Sequence, residues 1–394
     1  MSIRELVLCA PARTAIGAFN GSLKDVPAVE LGAVALRGAI ERAGINPAHV
    51  DSVLMGNVVQ AGNKMNPARQ AAVLTGLPVE IPAMTVNRVC GSGAQAIVSA
   101  AHEILAGESL VVLAGGMENM DRAPYLLPQA RWGTRMGHTD IRDSMLHDGL
   151  VDAFSSQHSG WHTDELAHEL QIGREAQDRW AARSQARFSA AQANGSFKDE
   201  IVGVQIQDKR GTRHFDTDES NRPGTTQASL ANLKAAFRKD GTITAGNAPG
   251  LNSGAAALLV AHRATAERIG LRPVARLVAS AIAGVEPANF GLGPVPAIKK
   301  ALLRANWAFS DVDRYEINEA FAAVPLAVAQ ALSLPEEIIN VEGGAIAHGH
   351  PIGATGAILV VRLLNAMTRG VVDRGVVSLC IGGGQGIALA IEKV

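Results

Sequence analysis

The residues able to do chemistry in this sequence gather in four short stretches. In TVNRVCGSGAQA (85–96), Cys90 stands directly before Gly-Ser-Gly, after an apolar run and before a helix-like one. A free cysteine is commonly a buried, inert core residue. At a strand-to-helix turn it would instead sit at a helix N-terminus, where the macrodipole favours thiolate. The glycines would expose backbone N–H groups beside it, as in the nucleophile elbow of serine hydrolases, although GxSxG itself is absent. This stretch alone permits both readings. In GGAIAHGHPIGATG (343–356), His348 and His350 could pair on a metal, but no carboxylate or third histidine stands nearby in the sequence. Pro351 and the glycines favour a tight turn that holds one imidazole in place. In SLCIGGGQG (378–386), Cys380 ends a strand-like run before Gly382, Gly383 and Gly384, whose N–H groups could face an oxyanion. A dinucleotide loop is excluded there, because no G-x-G-x-x-G opens a helix with a later ribose-binding acid. In EINEAFAAV (316–324), Asn318 and Glu319 interrupt an apolar strand-to-helix junction, as a helix cap or as site residues.

The flanking patterns must position these groups. Residues 28–44 carry apolar side chains at helical spacing and stop at Gly44. VDSVLMGNVV, PAMTVN and SLVVLAGGMENM are strand-like, and GSGAQAIVSAAHEIL reads as a buried helix. Such alternation predicts an α/β architecture. The same order returns near the C-terminus, with Asp51 opposite Asp313, Cys90 opposite His350, and SLVVLAGGMENM opposite GVVSLCIGGGQGI at nearly one offset. Three matches in one order argue for a duplicated half. On that reading Cys90 and His350 take mirrored positions and could face one another across the interface of the halves, as a nucleophile and its base must. Residues 121–250 differ in texture and read as an insertion of some helix and long loops, including the polar tract that begins at Asp208.

The 394 residues suffice for two or three domains, and 47% hydrophobic against 19% charged residues make the chain globular. A net charge of −1 offers no case for a nucleic-acid binder or a polybasic membrane anchor. Three cysteines, Cys9, Cys90 and Cys380, build no disulfide framework and match no zinc spacing. A reducing compartment follows, and with no signal-like or membrane-spanning run the expected location is cytoplasmic.

Together VNRVCGSG, NEAFAAV, GGAIAHGHPIGATG and CIGGGQG resemble the thiolase family in order and spacing, and so do DGLVDAF, DTDE and TAGNAPGLNSGAAA of the middle region. The resemblance implies two α/β halves in a five-layered αβαβα fold with an inserted loop domain. The halves would be 1–120 plus 251–273 and 274–394, with the insertion at 121–250. It implies that Cys90 accepts the acyl group and His350 its proton, and that Cys380 is the acid/base at the α-carbon of a second acyl-CoA. Asn318 would hold a water that forms one oxyanion hole with His350. The N–H groups of Cys90 and Gly382 would form the other. Leu150, His158, Arg222, Phe237 and Ala245 match positions lining the coenzyme A groove, with Phe290 and Phe321 at the acyl pocket. The implied substrates are acyl-CoA thioesters, with no further cofactor and no metal, and the implied assembly is a homotetramer through a loop near residues 124–138.

The chain departs from the family pattern at several points. Ser159 replaces a methionine expected to wall the acyl pocket, and Trp161 stands two residues on. Pro249 takes a position where serine is common, Phe290 one where methionine is common, and His348 replaces an aliphatic residue. These changes suggest a reshaped pocket and an acyl preference beyond acetyl. The rival readings are a thiolase for longer or branched 3-ketoacyl chains, a ketoacyl-carrier-protein synthase, a cysteine hydrolase, and a non-catalytic acyl-CoA or lipid binder.

Overall fold

The computed structural model describes residues 5–208 and 211–394. The first half runs β1 (Leu6–Thr14), α1 (Ala28–Ala43), β2 (Ser52–Gly56), α2 (Pro67–Thr75), β3 (Ala83–Val86), α3 (Ser92–Ala106) and β4 (Val111–Asn119). A middle region follows, with hairpin β5 (Tyr125–Leu126) and β6 (Arg142–Asp143), helices α4 (Ser159–Glu169) and α5 (Arg174–Ala193), and hairpin β7 (Val204–Asp208) and β8 (Gly211–Phe215). Strand β9 (Asn252–His262) returns to the first half. The second half runs β10 (Pro273–Gly284), α6 (Pro294–Ala305), β11 (Arg314–Ile317), α7 (Ala323–Leu332), α8 (Thr355–Thr368), β12 (Arg374–Ile381) and β13 (Gln385–Lys393).

One continuous sheet has the order β11-β12-β13-β10-β1-β9-β4-β2-β3. The halves join where β1 pairs antiparallel with β10, Leu8 opposite Ala275. Alternation along each strand sorts side chains to two faces. In β1, Leu6 and Leu8 face an inner core, whereas Val7 and Cys9 face an outer one. The inner core holds α3 and α8 between the two halves of the sheet. Helices α1 and α2 cover one outer face, and α6 and α7 the other. The result is the expected αβαβα order. Because α8 is enclosed on all sides, it is buried from Thr355 to Met367.

The duplication is visible in hydrogen bonds. Asp51 accepts from the N–H groups of Leu110 and Val111, and Asp313 accepts in the same way from Asp373 and Arg374. Gly44 and Asn306 close α1 and α6 in the left-handed region, each donating its N–H one turn back. Helices α3 and α8 touch through glycines: a Cβ on Gly93 would collide with Ala357 N, and one on Gly356 with Ala94 N. This reciprocity matches Ser92-Gly93 with Thr355-Gly356 and corrects one expectation. Cys90 is the counterpart of Gly353, not of His350, whose own counterpart is Asn87. The register read from sequence slipped because small residues align almost equally well three positions apart.

The middle region also departs from the expected loops. The tract that begins at Asp208 contains a hairpin strand, β8; residues 209 and 210 lie outside the described residues. Helix α5 is a structural pillar: Trp180 Nε1 and Ser184 Oγ both donate to the buried carboxylate of Glu319. Glu319 is therefore neither a helix cap nor a site group but the anchor of this region. Substituting Gly356 with Val should lower stability by about 1–3 kcal/mol or more through overpacking, read as a lower urea midpoint with an unchanged slope.

Candidate active site

Cys90 sits in the turn between β3 and α3. The turn is built under strain, since Val89, a β-branched residue, takes φ +45°. Three hydrogen bonds hold it: Asn87 Oδ1 accepts from Val89 N at 2.9 Å, and Ser92 Oγ accepts from Arg88 N at 2.8 Å while donating to Val89 O at 2.7 Å. Arg88 Nη1 reaches across to Gln385 Oε1 at 2.7 Å and so fixes the turn against the β12–β13 hairpin. That hairpin turns through Gly383 and Gly384, both left-handed, and the Gly382 N–H faces the Cys90 sulfur. This N–H opposes burial, which nonetheless pushes the Cys90 thiol up to about 11.

His350 follows Gly349, whose φ of +103° and collision of any Cβ with Asn252 both demand glycine. Asn252 Oδ1 accepts from His350 N at 2.8 Å. The Thr355 hydroxyl donates to Pro351 O at 2.9 Å, so its oxygen is left to accept from His350 Nδ1 at 2.7 Å. This assigns the proton to Nδ1 and leaves Nε2 as an acceptor. Asn318 Nδ2 lies 3.3 Å from that Nε2, and Asn318 Oδ1 has no partner among the described residues. Burial lowers His350 to about 4, so the ring is neutral at physiological pH.

Cys380 lies near the C-terminal end of β12, fully buried beside Phe290, Phe321 and Val324. Burial pushes its thiol well above the usual range, and the nearby Cys90 adds to the shift. Cys90, His350 and Gly382 open together into a cavity of about 420 Å³. Its walls are largely apolar. His158 stacks on Phe237 at 4.5 Å, and Phe237 meets Phe321 edge-on at 5.9 Å. Leu150, Ser159, Pro249 and Phe290 complete the wall among the residues expected there.

Three expected lining residues stand elsewhere. Trp161 is on the other face of α4 from Ser159 and His162, and it packs under Arg238 with Nε1 donating to Glu165. Helical periodicity places residues two apart on opposing faces, so Trp161 does not reshape the cavity. Arg222 and Ala245 are exposed and outside the cavity wall. His348 is buried with Phe188 beside it, burial holds it well below the usual histidine range, and it has no metal-ligand neighbours in that contact. Sequence reading missed Thr355, Asn252 and Glu118, all buried polar groups around His350. Glu118 did carry a signal, as a lone acid inside an apolar strand.

The arrangement opens a protonated thiol and a neutral imidazole into one cavity, with a second thiol behind and N–H donors at hand. Such a set can form a covalent acyl intermediate and move a proton beside it. Thr355→Val should lower kcat on the order of 10²-fold with little change in KM, because the imidazole loses its tautomer lock; steady-state rates measure it.

The chain matches the family model for the thiolase N-terminal domain over residues 6–264 and that for the thiolase C-terminal domain over 271–393. It is 51% identical to an acetyl-CoA acetyltransferase of Cupriavidus necator, over 99% of both chains. It is 48% identical to a probable acetyl-CoA acyltransferase of Staphylococcus epidermidis, again over 99% of both. Among solved structures, the acetyl-CoA acetyltransferase of Bacillus anthracis superposes with a TM-score of 0.97 at 44% identity, covering 100% of this chain and 99% of that one.

Proposed function

The chain belongs to the thiolase family, and on that premise we propose that it joins two acetyl-CoA molecules into acetoacetyl-CoA and CoA, and cleaves the product in reverse. The observation that carries this reading is the neutral pair of Cys90 and His350 opening, with the Gly382 N–H, into one apolar cavity. Cys90 gives its proton to His350 Nε2 and attacks the thioester carbonyl. The carbonyl oxygen takes the negative charge against the N–H groups of Cys90 and Gly382, and CoA leaves with the proton from His350. Acetyl-Cys90 remains. Cys380 then passes its own proton to His350 Nε2 and, as the thiolate, takes an α-proton from a second acetyl-CoA. The enolate oxygen is stabilised by the protonated His350 and by a water on Asn318. The enolate carbon attacks acetyl-Cys90 and expels the thiolate, which takes the proton back from His350, so that both cysteines end as thiols. Each oxyanion donor of this kind is worth about 10²–10³-fold in rate. No cofactor beyond the two thioesters enters the cycle.

On this reading the chain divides into 1–120 plus 251–273, 121–250 and 274–394, and the middle part carries the coenzyme A contacts. Arg222, exposed on its loop, suits the phosphate end of the nucleotide. A preference for longer 3-oxoacyl chains is the second reading, favoured by Ser159 where a larger side chain would fill the wall. Reactive free thiols fit a reducing cytoplasm. Mass spectrometry after mixing with acetoacetyl-CoA should find one acetyl group on Cys90. Cys380→Ala should keep that adduct yet lose condensation, and thiolysis rates should fall as the 3-oxoacyl chain grows. No adduct on Cys90 would refute the proposal, and a maximum at longer chains would favour the second reading.

A homotetramer built from core dimers is part of the same proposal. Strand β3 is a sheet edge with Met84 exposed, and Val73, Leu74 and Val79 are exposed on the adjoining segments. Between β5 and β6, Trp132 and Met136 are 85% and 99% exposed, which single chains seldom leave in water so close together. Light scattering should give a tetramer mass. Replacing Trp132 and Met136 with Ser should reduce it to a dimer mass while acetylation of Cys90 persists.

A further inference from the structure

Glu118 is a fully buried acid at the end of β4. Its Oε1 accepts from Asn57 Nδ2 at 2.8 Å, and its Oε2 accepts from Val58 N and Gly353 N, each at 3.0 Å. Val58 belongs to the turn after β2 in the first half. Gly353 belongs to the second half, three residues after His350. One carboxylate thus ties the two halves together, near the Cys90 thiol and three residues from His350. A Cβ on Gly353 would collide with this carboxylate and with Met117 O, so the turn is pressed directly onto β4.

The repeat shows how unusual this residue is. With Asp51 and Val111 matched to Asp313 and Arg374, the counterpart of Glu118 is Ile381. Ile381 presses on Gly91, in the turn beneath Cys90. The two halves therefore support the turns before α3 and α8 from equivalent strand positions. One uses an aliphatic side chain and the other a carboxylate. Burying a carboxylate is costly unless its hydrogen bonds are needed. Here burial pushes the carboxyl up to about 7 against the pull of its donors, and its charge raises the Cys90 thiol.

We propose that Glu118 is a positioning residue for acyl transfer: its carboxylate ties the turn after His350 to the turn after β2 and holds the imidazole against Cys90. Asn252 fixes the start of the turn at His350 N, and Glu118 fixes its end at Gly353 N. Around the carboxylate, the turn after β2 presents Asn57 and Val58 N, and the turn before α8 presents Gly353 N. Cys90, at the head of α3, is the titratable group whose shift records its charge. The inference rests on the thiolase reading, because it assigns His350 the proton of Cys90.

The test uses the full-length Glu118→Gln and Glu118→Asp variants, with thermal unfolding to establish folding. In Glu118→Gln one acceptor becomes a donor facing other donors. Its kcat for acetoacetyl-CoA thiolysis should fall on the order of 10²-fold, with KM changed about twofold or less. Its pH profile of Cys90 alkylation by iodoacetamide should move to lower pH, since a negative charge near the thiol is gone. Glu118→Asp keeps the charge but loses reach, so kcat should fall while the alkylation profile stays in place. A folded Glu118→Gln with parental kcat overturns the proposal, and so does a fall in kcat with no shift in alkylation. Should Glu118→Gln fail to fold, a parental kcat in Glu118→Asp overturns it. Parental protein that forms no acetyl-Cys90 would refute the thiolase reading itself, a separate outcome.

Discussion

The glycine contact between α3 and α8 is the constraint on which the site depends. Two helix N-termini cannot approach this closely with side chains between them, and Gly93 and Gly356 each meet the backbone of the opposing helix. The contact places the turns that precede the two helices side by side. Cys90 is in one turn and His350 in the other. The five-layer arrangement serves the same end, since sandwiching α3 and α8 between sheet halves leaves them no freedom to part. The inner core is thus a clamp that holds the Cys90 turn beside the His350 turn.

Proximity under such enclosure sets the electrostatics. Burial raises both thiols and lowers the imidazole, so the resting site carries little charge. A charged thiolate–imidazolium pair would exist only where N–H donors and the Asn318 amide compensate it. Those donors are fixed before any substrate arrives, Gly382 by its hairpin and Asn318 by its backbone bond to Ser378 O. Preorganised dipoles of this kind stabilise developing charge without rearrangement, which suits a reaction that forms two oxyanions in turn.

Much of this was legible in the sequence. The alternating patterns gave helix α1 and strands β2, β3 and β4 nearly to their ends, because period and capping are local properties. The four motif stretches do meet, and Cys90, His350 and Gly382 share a cavity. What escaped reading depended on contacts distant in the chain. Nearness in sequence to Ser159 suggests a place in the cavity for Trp161, whereas helical geometry turns it away. Glu319 is a polar residue whose purpose only α5 reveals, through Trp180 and Ser184. The Cys90–His350 mirror failed because short runs of small residues leave the register ambiguous, and only the reciprocal glycine contacts resolve it.

That corrected register explains how a repeated fold makes an asymmetric site. The halves keep their structural joints in common: the Asp51 and Asp313 clasps, the left-handed caps at Gly44 and Asn306, and the glycines between the central helices. The groups proposed for the chemistry occupy positions where the copies differ. Cys90 stands against Gly353, His350 against Asn87, Asn318 against Gly56, and Cys380 against Met117. Identical halves would present two thiols or two imidazoles at the interface, and neither set would bring a thiol and an imidazole together. The clasps and helix contacts set the two turns side by side, while Arg88 and Gln385 hold the Cys90 turn and Asn252 and Glu118 hold the His350 turn. The paired positions themselves can therefore differ, one turn bearing the thiol and the other the imidazole.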